Sequence, residues 1–331
     1  MNEFIKEIYS FGVTNEKNNY PELNISYGID KNFLYGAGVS ISSVLLNNQD
    51  INFVFHVFTD YIDDEYLNAF KNTAEQFDTS IKVYLIDPHY FIDLPTSDVW
   101  SYATYFRIYS FDYLSSSIST LLYLDADVVC KGSLKLFTEI NFKDEFSAVI
   151  PDSKATQESC SNRLNIPEMN GQYFNAGVMF VNLDKWKKSN LKPYLLTLLK
   201  GETRFGKLKY LDQDALNISF EMNNIYLPGI YNTIYSLKNE LSDRKHVKYR
   251  EVINDETVLI HYTGITKPWH AWANYPSAKY FQTARERSPW VAYPLKEART
   301  ISEMQKKYKH LFVHGAYIKG LFAMIQYKLK K

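Results

Sequence analysis

The sequence predicts an α/β fold, in which a largely parallel sheet carries helices on both faces. Apolar runs of strand length alternate with segments of helical periodicity. Strands that alternate with helices form parallel sheets through crossover connections. The chain has 331 residues, of which 46% are hydrophobic and 22% charged, so it can form one large domain with an appendage.

Six apolar runs are predicted to be strands, at 23–28, 52–58, 81–86, 120–125, 147–150 and 177–183. Helical periodicity follows at 38–48, 63–77 and 101–114, the second behind an acidic first turn. In such sheets ligands bind at the carboxyl ends of the strands. Polar residues that follow a predicted strand are therefore the first candidates for a functional site.

The chain divides into a polar N-terminal arm at 1–21, a main domain at 22–284 and an appendage at 285–331. From 301 to the end there are seven Lys, no Arg and one acid. Apolar residues recur there at roughly helical spacing, namely Leu311, Ile318, Leu321, Phe322, Ile325 and Leu329. This pattern predicts a basic amphipathic helix on an anionic membrane surface. The alternative is a helix packed on the core with a solvated lysine face.

Composition limits the remaining function classes. The formal net charge is zero, which gives no case for a nucleic-acid partner. Cys130 and Cys160 are the two cysteines, too few for a disulfide framework, which fits a reducing compartment. The first 20 residues lack a signal-peptide core and no apolar run reaches 18 residues, so a cytoplasmic protein is expected.

The stretch LLYLDADVVC (121–130) places Asp125 and Asp127 at the end of a predicted buried strand. Ionised carboxylates are costly to bury without a partner. In an extended chain residues i and i+2 point the same way, and Ala126 keeps the gap between them small. Two converging carboxylates suit Mg²⁺ or Mn²⁺, which also bridge phosphates. A solvated turn is the alternative.

A second candidate is HYTGITKPWH (261–270), which follows the apolar run TVLI. His261 would add an imidazole to the two carboxylates, a combination that favours Mn²⁺ over Mg²⁺. Gly264 allows a backbone to approach a phosphate closely, and Lys267 supplies a positive charge. A lone histidine after a strand is usually structural, but Gly and Lys in the same short loop favour a functional one.

Two further segments carry weaker signals. In YFNAGVMFVNL (173–183), Asn175 could present its amide to a ligand hydroxyl, or simply lie in a turn before a strand. In YLDQDALN (210–217), Asp212 is predicted to cap a helix, with Gln213 and Asp214 in its first turn. The neutral amide of Gln213 suits a cationic transition state that must not be trapped as an adduct.

These motifs, DAD (125–127), FNAGV (174–178), DQD (212–214) and HYTGITKPW (261–269), together resemble the retaining glycosyltransferases of family 8. The resemblance covers roughly residues 23–275. It implies a single GT-A type, Rossmann-like domain that binds a nucleotide sugar.

Other segments are similar to a narrower group, the lipopolysaccharide outer-core hexosyltransferases of enteric bacteria. They are ISYGIDKNFLYGAGVSISSVLLNN, FHVFTD, WSYATYFR and the SPW near 290. LLYLDADVVCKG and YNTIYSLKNEL look most like the 1,2-linking members. The resemblance implies UDP-glucose or UDP-galactose as donor, Mn²⁺ or Mg²⁺ as cofactor, and a lipopolysaccharide core acceptor at the cytoplasmic face of the inner membrane.

The resemblance also implies roles for individual positions. The first-strand segment with Gly28, Ile29, Asp30 and Asn32 would hold uridine and ribose, with Phe33 where some relatives have a stacking Tyr. Arg107 would reach the donor sugar or diphosphate. The metal ligands would be Asp125, Asp127 and His261, and the nucleotide contacts would include Ala126, Gly264 and Lys267. Around the donor hexose would lie Asp152, Asn175, Asp212 and Gln213.

Retention of configuration requires either a carboxylate nucleophile or attack from the face the leaving group departs from. Gln213 is a poor nucleophile, which favours same-face attack with a UDP phosphate oxygen taking the acceptor's proton. Asp212 as a transient nucleophile is the alternative.

Other functions stay open at this point: a 1,3-linking hexosyltransferase, a nucleotide-sugar hydrolase, a self-glucosylating initiator, or a nucleotide-sugar-binding protein without transfer. A dinucleotide oxidoreductase is excluded because GAGVS (36–40) lacks the third glycine of the fingerprint.

Overall fold

The computed structural model describes residues 4–13, 19–97 and 101–331. Within these ranges the chain forms eleven strands and eleven α-helices, with short 3₁₀ turns between them. Part of the predicted arm, residues 1–3 and 14–18, lies outside the described residues, as does Trp100 of the WSYATYFR segment.

The strands are β1 Ile5–Phe11, β2 Glu22–Ile29, β3 Asn52–Thr59, β4 Ser80–Ile86, β5 Thr120–Leu124, β6 Val128–Cys130, β7 Ser147–Pro151, β8 Phe174–Asn182, β9 Asn224–Tyr226, β10 Thr233–Tyr235 and β11 Leu259–Tyr262. The helices are α1 Leu34–Asn47, α2 Asp64–Phe77, α3 Phe106–Leu114, α4 Lys135–Glu139, α5 Lys154–Leu164, α6 Leu183–Ser189, α7 Leu191–Leu199, α8 Leu211–Ser219, α9 Lys279–Glu286, α10 Ile301–Val313 and α11 Tyr317–Lys330.

Eight strands form one sheet in the order β1-β4-β3-β2-β5-β8-β7-β9. The four strands β4, β3, β2 and β5 are mutually parallel, while β8 is antiparallel to both of its neighbours. A smaller sheet, β10-β11-β6, lies beside it. The predicted α/β class is confirmed, and the sheet is mixed with a parallel centre.

Alternation of side chains along the strands divides the core into two apolar layers. On β5, Leu122 and Leu124 lie in one layer, whereas Leu121 and Tyr123 lie in the other. The first layer contains α1, α2, α9 and the small sheet, and the second contains α3, α6, α7 and α8. Both faces of the large sheet are therefore covered, as predicted.

All six predicted strands are present with small shifts at their ends, and helix α2 begins after Asp63, whose carboxylate caps it as an acceptor for the amide of Tyr66. The polar arm differs from expectation, because it contains β1. This strand is an antiparallel edge strand on β4, and four of its seven residues are exposed to solvent, which hides it from an apolar-run search.

The C-terminal appendage forms two helices, α10 and α11, instead of the single predicted helix. Gly315, with φ +72°, lies in the turn between them and ends the first helix. Gly320 allows the hairpin to close, since a Cβ there would lie 2.8 Å from the Phe312 ring. Within the described residues no helix is both long and apolar enough to cross a bilayer.

Candidate active site

The two carboxylates of the DAD motif lie in the connection between a strand of the large sheet, β5, and a strand of the small sheet, β6. Asp125 follows β5 and Asp127 precedes β6, and the segment is a turn closed by the Val128 amide donating to the Asp125 carbonyl at 3.0 Å. We expected an extended segment, and the turn differs from that. The carboxylates still converge, because the turn folds both towards the same side.

His261 completes a cluster of three ligand-type side chains. Its Nε2 is 3.3 Å from Asp127 Oδ1 and 3.8 Å from Asp125 Oδ2, and one ligand atom from each residue lies within 4.8 Å of the others. The antiparallel pairing of β11 with β6 sets His261 opposite Val128, beside the turn. Asn232 Oδ1, 3.1 Å from Nδ1, fixes the ring so that Nε2 faces the carboxylates.

Gly177 makes room for this cluster. A Cβ at this position would lie 2.3 Å from Cε1 of His261 and 2.8 Å from Asp125 Oδ2. The amide of Asp125 also donates to the Gly177 carbonyl at 2.8 Å. The residue therefore has to be glycine for the imidazole and the carboxylate to meet, and a donor set of two carboxylates and one imidazole fits Mn²⁺ or Mg²⁺.

Charges around the cluster are strongly coupled. Burial opposes ionisation of Asp127, but Lys267 and His261 outweigh it and hold the pKa of that carboxyl well below its usual range. Burial also disfavours the charged form of His261, yet Asp127 and Asp125 raise the pKa of the imidazole. Lys267 donates from Nζ to Asp127 Oδ2 and, at 3.0 Å, to the Tyr262 carbonyl. The site concentrates both signs of charge in a buried space.

Arg107 lies buried behind the carboxylates. Its guanidinium is 2.9 Å from Asp125 Oδ1 and 2.8 Å from Asp212 Oδ2, and it also donates to the carbonyls of Ala176 and Thr104. Because its donors are engaged by protein groups, Arg107 is placed to orient Asp125 and Asp212. Its predicted contact with the donor remains a prediction.

The predicted cap role of Asp212 is wrong. The residue lies within the first turn of α8, and its carboxylate is turned inwards to Arg107 and to the Thr104 hydroxyl, which donates to Oδ1 at 2.6 Å. Burial raises the pKa of Asp212 even though Arg107 lowers it. An acidic residue near the start of a helix is typical of a cap in the local sequence. The local sequence does not show that the partner of Asp212 is Arg107, which is distant along the chain.

A second polar cluster joins Asp152, Asn175 and Gln213. The amides of Asn175 and Gln213 both donate to Asp152 Oδ2 at 3.2 Å. Gln213 Oε1 accepts from the Ala176 amide at 3.0 Å. Asn232 links this cluster to the metal ligands, because its amide donates to Asn175 Oδ1 at 3.0 Å while its own oxygen faces His261.

Asn232 was not predicted as a site residue. The only signal was its place in the YNTIY segment, just before a short strand. Tyr173 was missed as well, and its hydroxyl accepts from Gln213 at 3.3 Å. Both residues matter through contacts with distant segments, which no local motif marks.

The predicted nucleoside segment lies at the same sheet edge. Gly28 and Ile29 end β2, which runs parallel to β5, so the carboxyl ends of the two strands share one edge. Asp30 accepts from the Asn32 amide at 2.8 Å and from the Ser101 hydroxyl at 2.9 Å. The ring of Phe33 packs edge-on against Trp269 of the 261–270 segment, with centroids 5.7 Å apart.

Two predicted nucleotide contacts are backbone positions. Gly264 has φ +89°, a conformation that side-chain-bearing residues rarely adopt. Ala126 is buried between the two carboxylates. The structure thus brings every predicted site residue to one edge of the sheet.

Comparison with known proteins places this chain in a family. The family model "Glycosyl transferase family 8" matches residues 24–273, and "Glycosyl transferase family 8 C-terminal" matches residues 275–331. The chain therefore belongs to glycosyl transferase family 8.

Curated relatives and solved structures agree with this membership. A "Lipopolysaccharide 1,2-glucosyltransferase" of Escherichia coli is 46% identical, over 93% of this chain and 91% of the relative. A "Lipopolysaccharide 1,3-galactosyltransferase" of Salmonella typhimurium is 40% identical, over 94% and 91%. The crystal structure of the galactosyltransferase LgtC with donor and acceptor sugar analogues matches with TM-score 0.67 at 23% identity, over 80% of this chain and 96% of that one, and supports the GT-A type fold.

Proposed function

We propose that this protein is a retaining, metal-dependent hexosyltransferase. It would move glucose or galactose from a UDP-sugar to the lipopolysaccharide outer core, in an α linkage for which 1,2 is favoured. The observation that carries the proposal is the convergence of Asp125, Asp127 and His261 beside Lys267 and the Asp152–Asn175–Gln213 cluster. The names of the relatives supply the acceptor class.

In this proposal Asp125, Asp127 and His261 hold Mn²⁺ or Mg²⁺. The bound metal would neutralise negative charge on the departing UDP. Lys267 adds a positive charge next to the same carboxylates, and the positive φ of Gly264 leaves backbone open to the diphosphate. Gly28, Ile29, Asp30 and Asn32 would line the nucleoside side of the site.

The second polar cluster would surround the donor hexose. Asp152 accepts two amide hydrogen bonds on one oxygen, so its position is fixed relative to Asn175 and Gln213. The neutral amides of Asn175 and Gln213 can accept and donate hydrogen bonds to sugar hydroxyls without offering a strong nucleophile. The neutral amide of Gln213 is suited to lie close to an oxocarbenium-like carbon.

Burial and hydrogen bonding argue against Asp212 as the nucleophile of a double displacement. One oxygen accepts from Thr104 and the other lies 2.8 Å from Arg107, and the side chain is only 7% exposed. A carboxylate held in this way would have to break two charge-assisted contacts before attacking a sugar. The arrangement favours same-face attack, in which a UDP phosphate oxygen takes the acceptor's proton.

UDP release tests the proposal. Purified protein is assayed with Mn²⁺ and either UDP-glucose or UDP-galactose, with and without truncated core lipopolysaccharide. We expect acceptor-dependent release from one donor, lost in Asp127→Ala. Equal release without acceptor would identify a hydrolase, and metal-dependent UDP binding without any turnover would identify a binding protein.

We further propose that the protein acts while bound peripherally to the anionic cytoplasmic face of the inner membrane, through α11. Small residues of this helix, Gly320 and Ala323, face α10 and are buried. Large apolar residues point outwards, with Phe322 65% and Leu329 82% exposed. The adjoining lysines Lys319, Lys328, Lys330 and Lys331 provide the positive charge. An exposed apolar stripe flanked by lysines is typical of a helix lying in the lipid interface.

Vesicle sedimentation tests this part. The double variant Phe322→Glu and Leu329→Glu should bind phosphatidylglycerol-containing vesicles at least about tenfold more weakly, since each buried side chain contributes roughly 1.5–3 kcal/mol. The control is Ile92→Glu, which alters an exposed apolar residue outside the appendage. Unchanged binding of the α11 variant would refute the membrane assignment.

A further inference from the structure

We propose that the C-terminal appendage also shapes the donor site, with Lys296 and His310 as positioning residues for the two loops that flank it. These loops are the nucleoside loop, residues 28–33, and the diphosphate loop, residues 263–270. The inference rests on the proposed function in taking both loops as donor-binding elements. It adds that residues beyond the main domain set the affinity for the nucleotide.

Lys296 joins both loops directly. Its ammonium donates to the Asn32 carbonyl at 2.5 Å, which fixes the turn that follows Asp30. Its backbone pairs with the other loop, since its amide donates to Trp269 at 2.8 Å and its carbonyl accepts from Ala271 at 3.0 Å. One residue of the appendage therefore sets the distance between the nucleoside loop and the diphosphate loop.

The charge environment of Lys296 supports a specific role. The residue is half-buried, and burial together with Arg299 lowers the pKa of its ammonium to about 8. Asp30 and Glu303 act in the opposite sense, and Lys31 adds to the repulsion. A lysine that served only solubility would avoid this desolvation by pointing into water.

His310 anchors α10 to the diphosphate loop. The imidazole is fully buried, with Nε2 3.1 Å from the Thr266 hydroxyl and Nδ1 2.7 Å from the Tyr275 hydroxyl. Burial lowers the pKa of His310 to about 4, so the ring is neutral at pH 7 and offers one donor and one acceptor. Thr266 directly precedes Lys267, so the hydrogen bond between His310 and Thr266 fixes the loop next to the residue that carries its positive charge.

The first turn of α10 reinforces this contact through a second histidine. His270 accepts the Lys267 amide on Nδ1 at 3.1 Å, and its Nε2 lies 3.7 Å from Glu303 Oε1. Glu303 is itself fixed by the capping box with Thr300. A helix needed only as a membrane anchor could pack through apolar contacts alone, whereas α10 contacts this loop through buried polar groups, which are costly to bury.

The decisive experiment measures UDP binding by titration calorimetry in the presence of Mg²⁺, without donor sugar or acceptor. Lys296→Met keeps the aliphatic stem but removes the bond to Asn32, and we expect the Kd for UDP to rise about tenfold. Lys296→Arg should restore most of the affinity. Lys188→Met, which removes an exposed lysine near the end of α6, should leave the Kd unchanged.

A pH series separates positioning from a general loss of structure. In the wild-type protein the affinity for UDP should fall as pH rises through about 8, where Lys296 loses its proton. Lys296→Arg should show no such fall, because its guanidinium stays charged. His310→Leu should weaken UDP binding several-fold at every pH. With Mn²⁺ and a working acceptor, Lys296→Met should raise KM for the UDP-sugar while kcat changes less than about twofold.

An unchanged Kd in Lys296→Met, together with a wild-type pH profile, would overturn the inference. Thermal melting of each variant reports whether it is folded. The test is independent of the acceptor, so a protein that binds UDP but transfers nothing to lipopolysaccharide would refute the proposed function and leave this inference intact.

Discussion

The Asp212→Asn substitution separates the two mechanisms that the sequence leaves open. It keeps the shape of the side chain and removes its negative charge. Asp212 is paired with Arg107 at 2.8 Å and the two side chains are 7% and 6% exposed, so the pair is buried on both sides. If Asp212 orients Arg107, the substitution should reduce stability and activity moderately; if it is the nucleophile, activity should disappear.

The expected loss of stability follows from that burial. Removing one partner of a buried ion pair costs about 3 kcal/mol, and Arg107 retains Asp125 as a second carboxylate, which limits the cost. An unfolding entropy of about 2.1 cal/mol/K per residue over 331 residues gives ~0.7 kcal/mol/K. The melting temperature should therefore fall by about 4 °C.

The activity should fall by about 10–100-fold, the usual effect of losing a group that orients a metal ligand. Loss of a true nucleophile would cost ~10⁴-fold or more. The assay is UDP release with saturating acceptor, alongside a thermal melt. Thr73→Val is the stability control, because it removes the acceptor of the buried Trp290 indole N–H at 3.0 Å, and Thr73 lies in α2, which contains no predicted site residue. It should lower the melting temperature and leave kcat unchanged.

Two results would refute this reasoning. A trapped covalent glycosyl-enzyme on Asp212, with complete inactivity of Asp212→Asn, would establish double displacement. A variant with unchanged melting temperature would show that the Arg107–Asp212 pair contributes nothing to the fold.

Two further predictions concern pH and the diphosphate loop. Burial lowers the pKa of His56 to about 3, that of His270 to about 3 and that of His310 to about 4, whereas the unfolded chain binds these protons below about pH 6.5. The stability that these neutral histidines contribute should therefore be complete above pH 6.5 and be lost towards pH 4, by up to ~1.4 kcal/mol per pH unit for each of them. His56→Gln should remove one such contribution from the slope, and a slope unchanged in the variant would contradict the assignment. Gly264→Ala should raise KM for the UDP-sugar about tenfold, because φ is +89° and a Cβ would lie 3.1 Å from Ser236 Oγ. Gly229→Ala is its control, since the space there is open, and equal effects of the two variants would refute the role of the loop.

The parallel centre of the sheet was predictable because its strands are buried on both faces and therefore appear as continuous apolar runs. β1 was not, since an edge strand with several exposed residues such as Glu7 resembles a polar arm. The C-terminal hairpin was predicted as one helix because its apolar spacing continues across Gly315, where only the backbone conformation reveals the break.

The candidate site, like the fold, was predicted only in part. Asp125, Asp127 and His261 were predicted from residue type and their places after strands, and the structure brings them together. Asn232, which fixes His261, and Arg107, which fixes Asp125, act through contacts between distant segments. Local patterns carry no information about such contacts, and for the same reason Asp212 was assigned to a cap.

Transfer with retention to a lipopolysaccharide acceptor is the reaction that we propose. The most direct measurement is NMR of the product formed from ¹³C-labelled UDP-glucose or UDP-galactose, Mn²⁺ and truncated core lipopolysaccharide, with Asp127→Ala as the inactive control. We predict one new α-anomeric signal, from one of the two donors, coupled to a core sugar through position 2. A β-anomeric signal, or labelled free hexose with the acceptor unchanged, would contradict the account.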